Sequence, residues 1–329
     1  MQTGKLSEPV LKRSVLRRLH RGISPRCREY YGADCAEFFP DDGIACTSVG
    51  VPPGFERTPG SLAVAAANNL WAGGAVPSAL MLHALLPVSC EEKELQRAMD
   101  DIAAAAAGQG MEIPGGHSQV TPAVSEAVYT AVGIGKISRS AGRRLLQPGD
   151  ELIMTKWIAL GGTAALAINY EEELKQRYPF GLIDRAKGFA GWMSVAAEAQ
   201  AVDESGTAAV HDLSQGGVFG ALWEMADRAG TGLEVDLKKI PVKQETIEIC
   251  EYFDVNPYEL YSAGSLLIGT DHGEALMREL SRRSIPAVII GRVTEDAGRV
   301  IRNGEDVRYL DRPKQDGWYQ LQERRAGRR

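Results

Sequence analysis

The chain has 329 residues, of which 44% are hydrophobic and 24% charged, and its formal net charge is −6. That length suffices for two domains with a core each, and the composition is that of a folded globular protein. The acidic balance excludes a nucleic-acid binder, because the only basic concentrations are Lys12 to Arg21 and Arg324 to Arg329, which read as a solvated helix face and a polar tail.

Residues 7–22 place Val10, Leu11, Val15, Leu16 and Leu19 on one face and predict a helix. Residues 44–50 predict a strand, and the connector Pro52-Pro53-Gly54 leads to a helix over 61–71. An apolar strand is expected over 81–87. Cys90-Glu91-Glu92 opens a long helix to about Ala107, with its acids at the end the helix dipole favours. Residues 112–114 run into a glycine turn, Gly115-Gly116-His117-Ser118-Gln119-Val120-Thr121, and 127–136 form another strand. Pro148-Gly149-Asp150 marks the domain boundary, followed at once by a strand over 151–155. Helices are expected after Gly161-Gly162 and over 183–201. A strand over 208–210 then leads into a second glycine turn, His211-Asp212-Leu213-Ser214-Gln215-Gly216-Gly217, and a helix to Ala229. Pro241 begins a helix ending near Asp254, strands over 266–269 and 287–293 flank a helix over 274–283, and the last thirty or so residues are polar and weakly patterned. The alternation predicts an α+β fold of helix and sheet layers in two domains, without repeats.

No apolar run approaches the roughly 20 residues that span a bilayer, and Met1 to Glu8 lacks the apolar centre of a signal peptide. A cytoplasmic protein without membrane association is therefore expected. The five cysteines (Cys27, Cys35, Cys46, Cys90, Cys250) show no CxxC spacing and point to neither a disulfide framework nor a zinc site. Each glycine turn follows a strand-like run, where backbone N–H groups can converge on an anion. Together they suggest two related halves facing one nucleotide-like ligand. No Gly-x-Gly-x-x-Gly follows an early strand, so a dinucleotide oxidoreductase is disfavoured.

Beside the glycine turns stand further motifs in fixed order: Gly4-Lys5-Leu6, Gly32-Ala33-Asp34-Cys35-Ala36, Asn68-Asn69-Leu70, Gly74-Ala75-Val76-Pro77, Ile240-Pro241-Val242 and Ser262-Ala263-Gly264-Ser265. By this ordered set, over residues 4–295, the chain resembles the aminoimidazole-ribonucleotide (AIR) synthase superfamily, and within it the HypE-like branch of hydrogenase maturation factors. The resemblance implies a PurM-like two-domain fold whose N-terminal domain contributes to an inter-subunit β-barrel in a homodimer. It implies a nucleotide-covering segment over 1–30, an N-terminal domain over 31–147, a C-terminal domain over 148–300 and a tail over 301–329.

The resemblance also implies ATP in the cleft between domains, contacted by Lys5, Asn68, Asn69, Gly115, Gly116, Ser118, Thr121, Gly216 and Gly217. Asp34, Asp212 and His117 are its candidate catalytic residues, and Asp34 with Asn69 its candidate Mg²⁺ ligands. Members of the superfamily use ATP to activate an oxygen of an acid or amide, and in HypE proper that chemistry dehydrates a thiocarbamate on the protein's own C-terminal cysteine. Besides the homodimer, a small-molecule acceptor and a maturation partner protein are expected.

The departures from the family pattern concern charge. Phosphoryl transfer depends on positioning and charge neutralisation, and Mg²⁺ takes hard oxygen ligands, mostly carboxylates. Thr47-Ser48-Val49-Gly50 offers no acid where the family has an aspartate, and the family's Asn-Asp pair is Asn68-Asn69. Gln119 and Ala263 stand where acids are usual, and His211 where arginine is usual. The last cysteine, Cys250, falls in an expected helix, so self-thiocyanation is not expected. Several readings stay open at this level. Asp34 is a ligand or a turn aspartate, Asn69 a site residue or a local backbone partner, His117 a phosphate contact or a turn residue, and Lys5 a phosphate contact or a solvated lysine. His211-Asp212 is not expected to form a dyad, since neighbours on a strand face opposite ways. The functional expectation is an ATP-using enzyme acting on a small acid or amide. Its alternative is a non-catalytic dimeric scaffold with a degraded Mg–ATP site.

Overall fold

The computed structural model describes residues 8–11, 13–14, 27–28, 35–38, 43–138 and 143–327, and Lys5 and Asp34 lie outside them. The chain divides between two compact units, one spanning 26–141 and the other containing 142–329.

The N-terminal unit is built on a six-stranded sheet of order β1-β2-β3-β6-β4-β5. Its strands are β1 (Cys27–Arg28), β2 (Ala36–Phe38), β3 (Ile44–Gly50), β4 (Ala75–Leu86), β5 (Glu112–Val120) and β6 (Val128–Ile137). Among its described strands only β4 and β5 run parallel, and the helix Glu92–Gly108 lies between them in the chain. That helix begins in a reciprocal capping box between Glu91 and Glu94, which satisfies two backbone donors at its start. The strand expected over 81–87 extends back to Ala75, because the alternation of buried and exposed positions continues through Val76-Pro77-Ser78. Pro77 sits at a register shift, where its missing N–H breaks no ladder bond. The helix Ser61–Ala72 covers one face of the sheet with buried Leu62, Ala63, Ala66, Ala67 and Leu70. The opposite face leaves Ile44, Val76, Met81, Val128 and Val132 between 39% and 49% exposed.

The first glycine segment is strand rather than turn. Gly115 and Gly116 lie inside β5, opposite Met81 and Leu82 of β4. A Cβ on Gly116 would run into the carbonyl of Leu82, so glycine is required there by close strand approach. At Gly115 a Cβ would meet only Met81 Cε at 3.6 Å, an ordinary contact.

The C-terminal unit has a seven-stranded sheet of order β13-β12-β9-β11-β7-β10-β8. These are β7 (Glu151–Thr155), β8 (Ala209–Asp212), β9 (Gly232–Asp236), β10 (Leu266–Thr270), β11 (Ala287–Thr294), β12 (Arg299–Asn303) and β13 (Asp306–Tyr309). Leu152, Met154, Leu213, Val218, Leu222, Leu267 and Ile290 join in one core. The single helix expected over 183–201 is instead Phe180–Gly188, a tight turn over Phe189–Trp192 and Ala196–Ser205. The helix expected from Pro241 starts at Gln244, and Pro241 instead uses its carbonyl to accept from Ile158 N–H at 3.0 Å.

The C-terminal residues, read as a weakly patterned tail, fold onto this unit. Residues 299–309 add the last two strands, and the helix Gly317–Ala326 buries Trp318 and Leu321. Arg325 makes two hydrogen bonds to the Glu173 carboxylate, at 3.0 and 2.8 Å, and lies over the ring of Tyr170. Two large apolar anchors dock a helix whose other positions remain polar, so composition alone reads it as solvent-facing. The fold is α+β, and no described helix is long and apolar enough to cross a membrane.

Candidate functional site

In the N-terminal unit the helix Ser61–Ala72 packs on β3 and brings Asn69 beside Thr47. Asn69 Nδ2 donates to Thr47 Oγ1 at 2.8 Å. The Asn69 carbonyl accepts from Cys35 Sγ at 3.0 Å and from Gly73 N–H at 2.9 Å. Asn68, its neighbour, is fully buried. The main chain of Asn69 is thus a local structural partner, and its side-chain amide faces Thr47 of β3. A magnesium ion would need carboxylate oxygen here. At this point the structure supplies one amide-to-hydroxyl hydrogen bond and no carboxylate, so the Asn69–Thr47 pair by itself does not fit a carboxylate-held Mg²⁺.

The remaining candidates of this unit lie along β5 and just after it. His117 and Ser118 are exposed on the strand, opposite His83 and Ala84 of β4. Thr121 donates its N–H to the Leu86 carbonyl at 2.9 Å, while its hydroxyl accepts from Ala123 N–H at 3.2 Å.

In the C-terminal unit three motifs converge on one place. Leu213 N–H donates to the Ser265 carbonyl at 2.9 Å, Ser262 N–H to the Ser214 carbonyl at 3.2 Å, and Gly162 N–H to the Tyr261 carbonyl at 2.7 Å. The Ser262 hydroxyl accepts from Ala159 N–H at 2.7 Å. Gly216 and Gly217 have φ of +89° and +64° and introduce the helix Gly217–Ala229, and a Cβ on Gly217 would collide with the carbonyl of Tyr258. This segment is a turn, as expected.

Its N–H is occupied, however. Asp316, only 5% exposed, accepts from Gly216 N–H at 2.8 Å through Oδ2 and from Trp318 N–H at 2.9 Å through Oδ1. A carboxylate of the C-terminal segment thus accepts the Gly216 N–H, one of the donors expected to face a phosphate. Burial pushes the Asp316 carboxyl up to about 6, against the pull of bonds from Gly216, Trp318 and Tyr261 backbone, and Glu259 adds to the rise.

Asp212 is buried on β8 across from Leu266. Tyr261, also buried, has its hydroxyl held well above the ordinary range, first by burial and then by the charges of Asp212 and Asp316. His211 Nε2 lies 3.2 Å from Glu224 Oε2 on the helix Gly217–Ala229. Cys250 is buried in the helix Gln244–Phe253, and burial pushes its thiol up to about 12. Such a thiol stays protonated and is a poor nucleophile.

Asp316 and Thr47 were not singled out from sequence. Asp316 sits in a polar stretch, and its signal is the Asp-x-Trp spacing of an N-cap. Thr47 has none beyond its strand position.

Comparison with known proteins places these features in a family. The AIR synthase related protein N-terminal domain matches residues 42–137, and the AIR synthase related protein C-terminal domain matches 147–303. The carbamoyl dehydratase HypE of Rhodobacter capsulatus is 29% identical over 274 residues, covering 80% of this chain and 77% of that protein. A crystal structure of a HypE–HypF complex superposes with a TM-score of 0.71 at 22% identity, covering 91% of this chain and all of that one. HypE in complex with ATP superposes with a TM-score of 0.66 at 20% identity, covering 96% and 97%. The chain belongs to the AIR synthase-related family, in its HypE-like branch.

Proposed function

We propose that this HypE-like protein binds ATP and directs its phosphoryl chemistry at a small acid or amide, from a site that does not rest on carboxylate-held magnesium. The observation that carries the reading is the 2.8 Å hydrogen bond between Asn69 and Thr47. Two carboxylates facing each other at such a distance repel and call for a cation, whereas an amide and a hydroxyl do not. Nucleotide binding is supported by the ATP complex of a HypE of the same fold. In the proposal Ser118 and Thr121, on and just after the exposed end of β5, offer hydroxyls to the ligand.

The acceptor is proposed to be a separate molecule, because the buried Cys250 thiol is unsuited to carry a reacting group. A homodimer is proposed through the sheet face that exposes Ile44, Val76, Met81, Val128 and Val132, an apolar patch of the kind that marks association. The HypE–HypF complex of a structural relative supports a maturation protein as partner.

The test is calorimetric titration of the full chain with ATP, first with Mg²⁺ and then with a chelator. Saturable binding of similar affinity in both is expected, and magnesium independence by itself weighs towards the scaffold rather than the enzyme. Binding that strictly requires Mg²⁺ would overturn the reading of the Asn69 site, and no heat in either would leave a scaffold without nucleotide. Phosphate release across a panel of small carboxylic acids and amides then separates enzyme from scaffold.

A further inference from the structure

His83 of β4 and His117 of β5 are register partners on adjacent parallel strands, and both are exposed. Their ring centres lie 5.5 Å apart, with the planes inclined at 62°. That separation has a specific meaning. An imidazole nitrogen bound about 2.05 Å from a metal puts its ring centre about 3.2 Å from the ion, and two such rings at a tetrahedral angle have centres about 5.2 Å apart. The observed pair is within a few tenths of an ångström of that spacing before any metal binds.

A second observation points the same way. Gln119 Oε1 lies 3.0 Å from His117 Nε2. Gln119 can hold this nitrogen as the donor, and in that Nε2–H tautomer Nδ1 is the nitrogen that offers a lone pair. An outer acceptor on one ring nitrogen, leaving the other available, is the usual arrangement around a metal-ligating histidine.

We propose that His83 and His117 form a two-histidine chelate for a divalent transition ion of the Zn²⁺, Co²⁺ or Ni²⁺ class. Paired imidazoles select these borderline ions over Mg²⁺ and Ca²⁺, which take oxygen. Water or a small ligand completes the coordination, or a second copy's pair does so where two sheet faces meet. The inference stands on strand register and ring geometry and is independent of the nucleotide reading.

The experiment is calorimetric titration of tag-free, chelator-treated full chain with Ni²⁺ in excess Mg²⁺, together with the absorption spectrum of the Co²⁺ form. One ion per chain, or one per two chains, is expected, with visible Co²⁺ bands of a nitrogen-containing tetrahedral or five-coordinate site. His83→Gln, His83→Asn and His117→Gln should each bind Ni²⁺ at least about tenfold more weakly, while their metal-free melting temperatures match the parent. No saturable Ni²⁺ binding by the parent would overturn the proposal. So would Co²⁺ bands of thiolate type, or variants that bind as the parent does.

Discussion

Asp316 offers the sharpest test of how the C-terminal unit is held together. Its carboxyl rises from an ordinary 3.8 to about 6, mainly because it is buried against the Gly216 turn. The folded chain therefore holds this proton more tightly than the unfolded chain does. The group's contribution to stability is complete below the unfolded value, declines as pH rises towards about 6 and is absent above it. A rise of about two pKa units corresponds to about 3 kcal/mol between the acidic and neutral limits. Asp316→Asn removes the titration but keeps a carbonyl oxygen for a backbone donor. At neutral pH it should stay within about 1 kcal/mol of the parent, while Asp316→Ala loses about 2 kcal/mol by leaving the Gly216 and Trp318 N–H groups unsatisfied. Urea unfolding followed by tryptophan emission reads this unit well, because Trp157, Trp192, Trp223 and Trp318 all lie in it. The parent should lose stability relative to Asp316→Asn as pH rises from about 4 to 6. Parallel curves for the two proteins would refute a buried carboxylate at the turn.

Further substitutions address the other assignments. Gly116→Ala should lower stability by about 1–3 kcal/mol, because its Cβ meets the Leu82 carbonyl, whereas Gly115→Ala should change it by less than about 1 kcal/mol; thermal unfolding compares them. Asn69→Asp should make ATP binding stronger in Mg²⁺ than in chelator, since it restores a carboxylate; equal affinities in calorimetry would remove residue 69 from the metal position. Trp318→Ala should cost the C-terminal unit about 3–5 kcal/mol in the same urea assay, as expected for a buried aromatic anchor and not for a ragged tail.

Sequence pattern carried well where side chains alternate or cap. The strand over 44–50 and the acid-started helix before Gly108 coincide closely with Ile44–Gly50 and Glu92–Gly108. It failed where one residue decides against its surroundings. Trp318 and Leu321 dock a helix that is otherwise polar, and Gly188 and Gly191 accompany the break in an otherwise continuous helical stretch. Neither outcome is visible in a window average, because long-range packing sets both.

The two glycine pairs show why a motif does not carry its own geometry. Gly216-Gly217 has positive φ at both residues and opens a helix, so the Gly216 N–H can meet an anion while the Gly217 N–H donates to the Ser214 carbonyl. Gly115-Gly116 is spelled the same way, yet Gly116 is small because the Leu82 carbonyl of the next strand stands where a Cβ would be. The distinguishing information is the parallel pairing of β4 with β5, two segments separated by a 17-residue helix. Once that pairing exists, the polar residues after the glycines are no longer a turn folded around a ligand. They become exposed positions on an extended strand, which is what sets His117 beside His83 and leaves Ser118 open. At the true turn, the same anion-binding geometry is taken by the chain's own Asp316. The local fold fixes where an anion can sit, and the C-terminal segment decides which anion sits there.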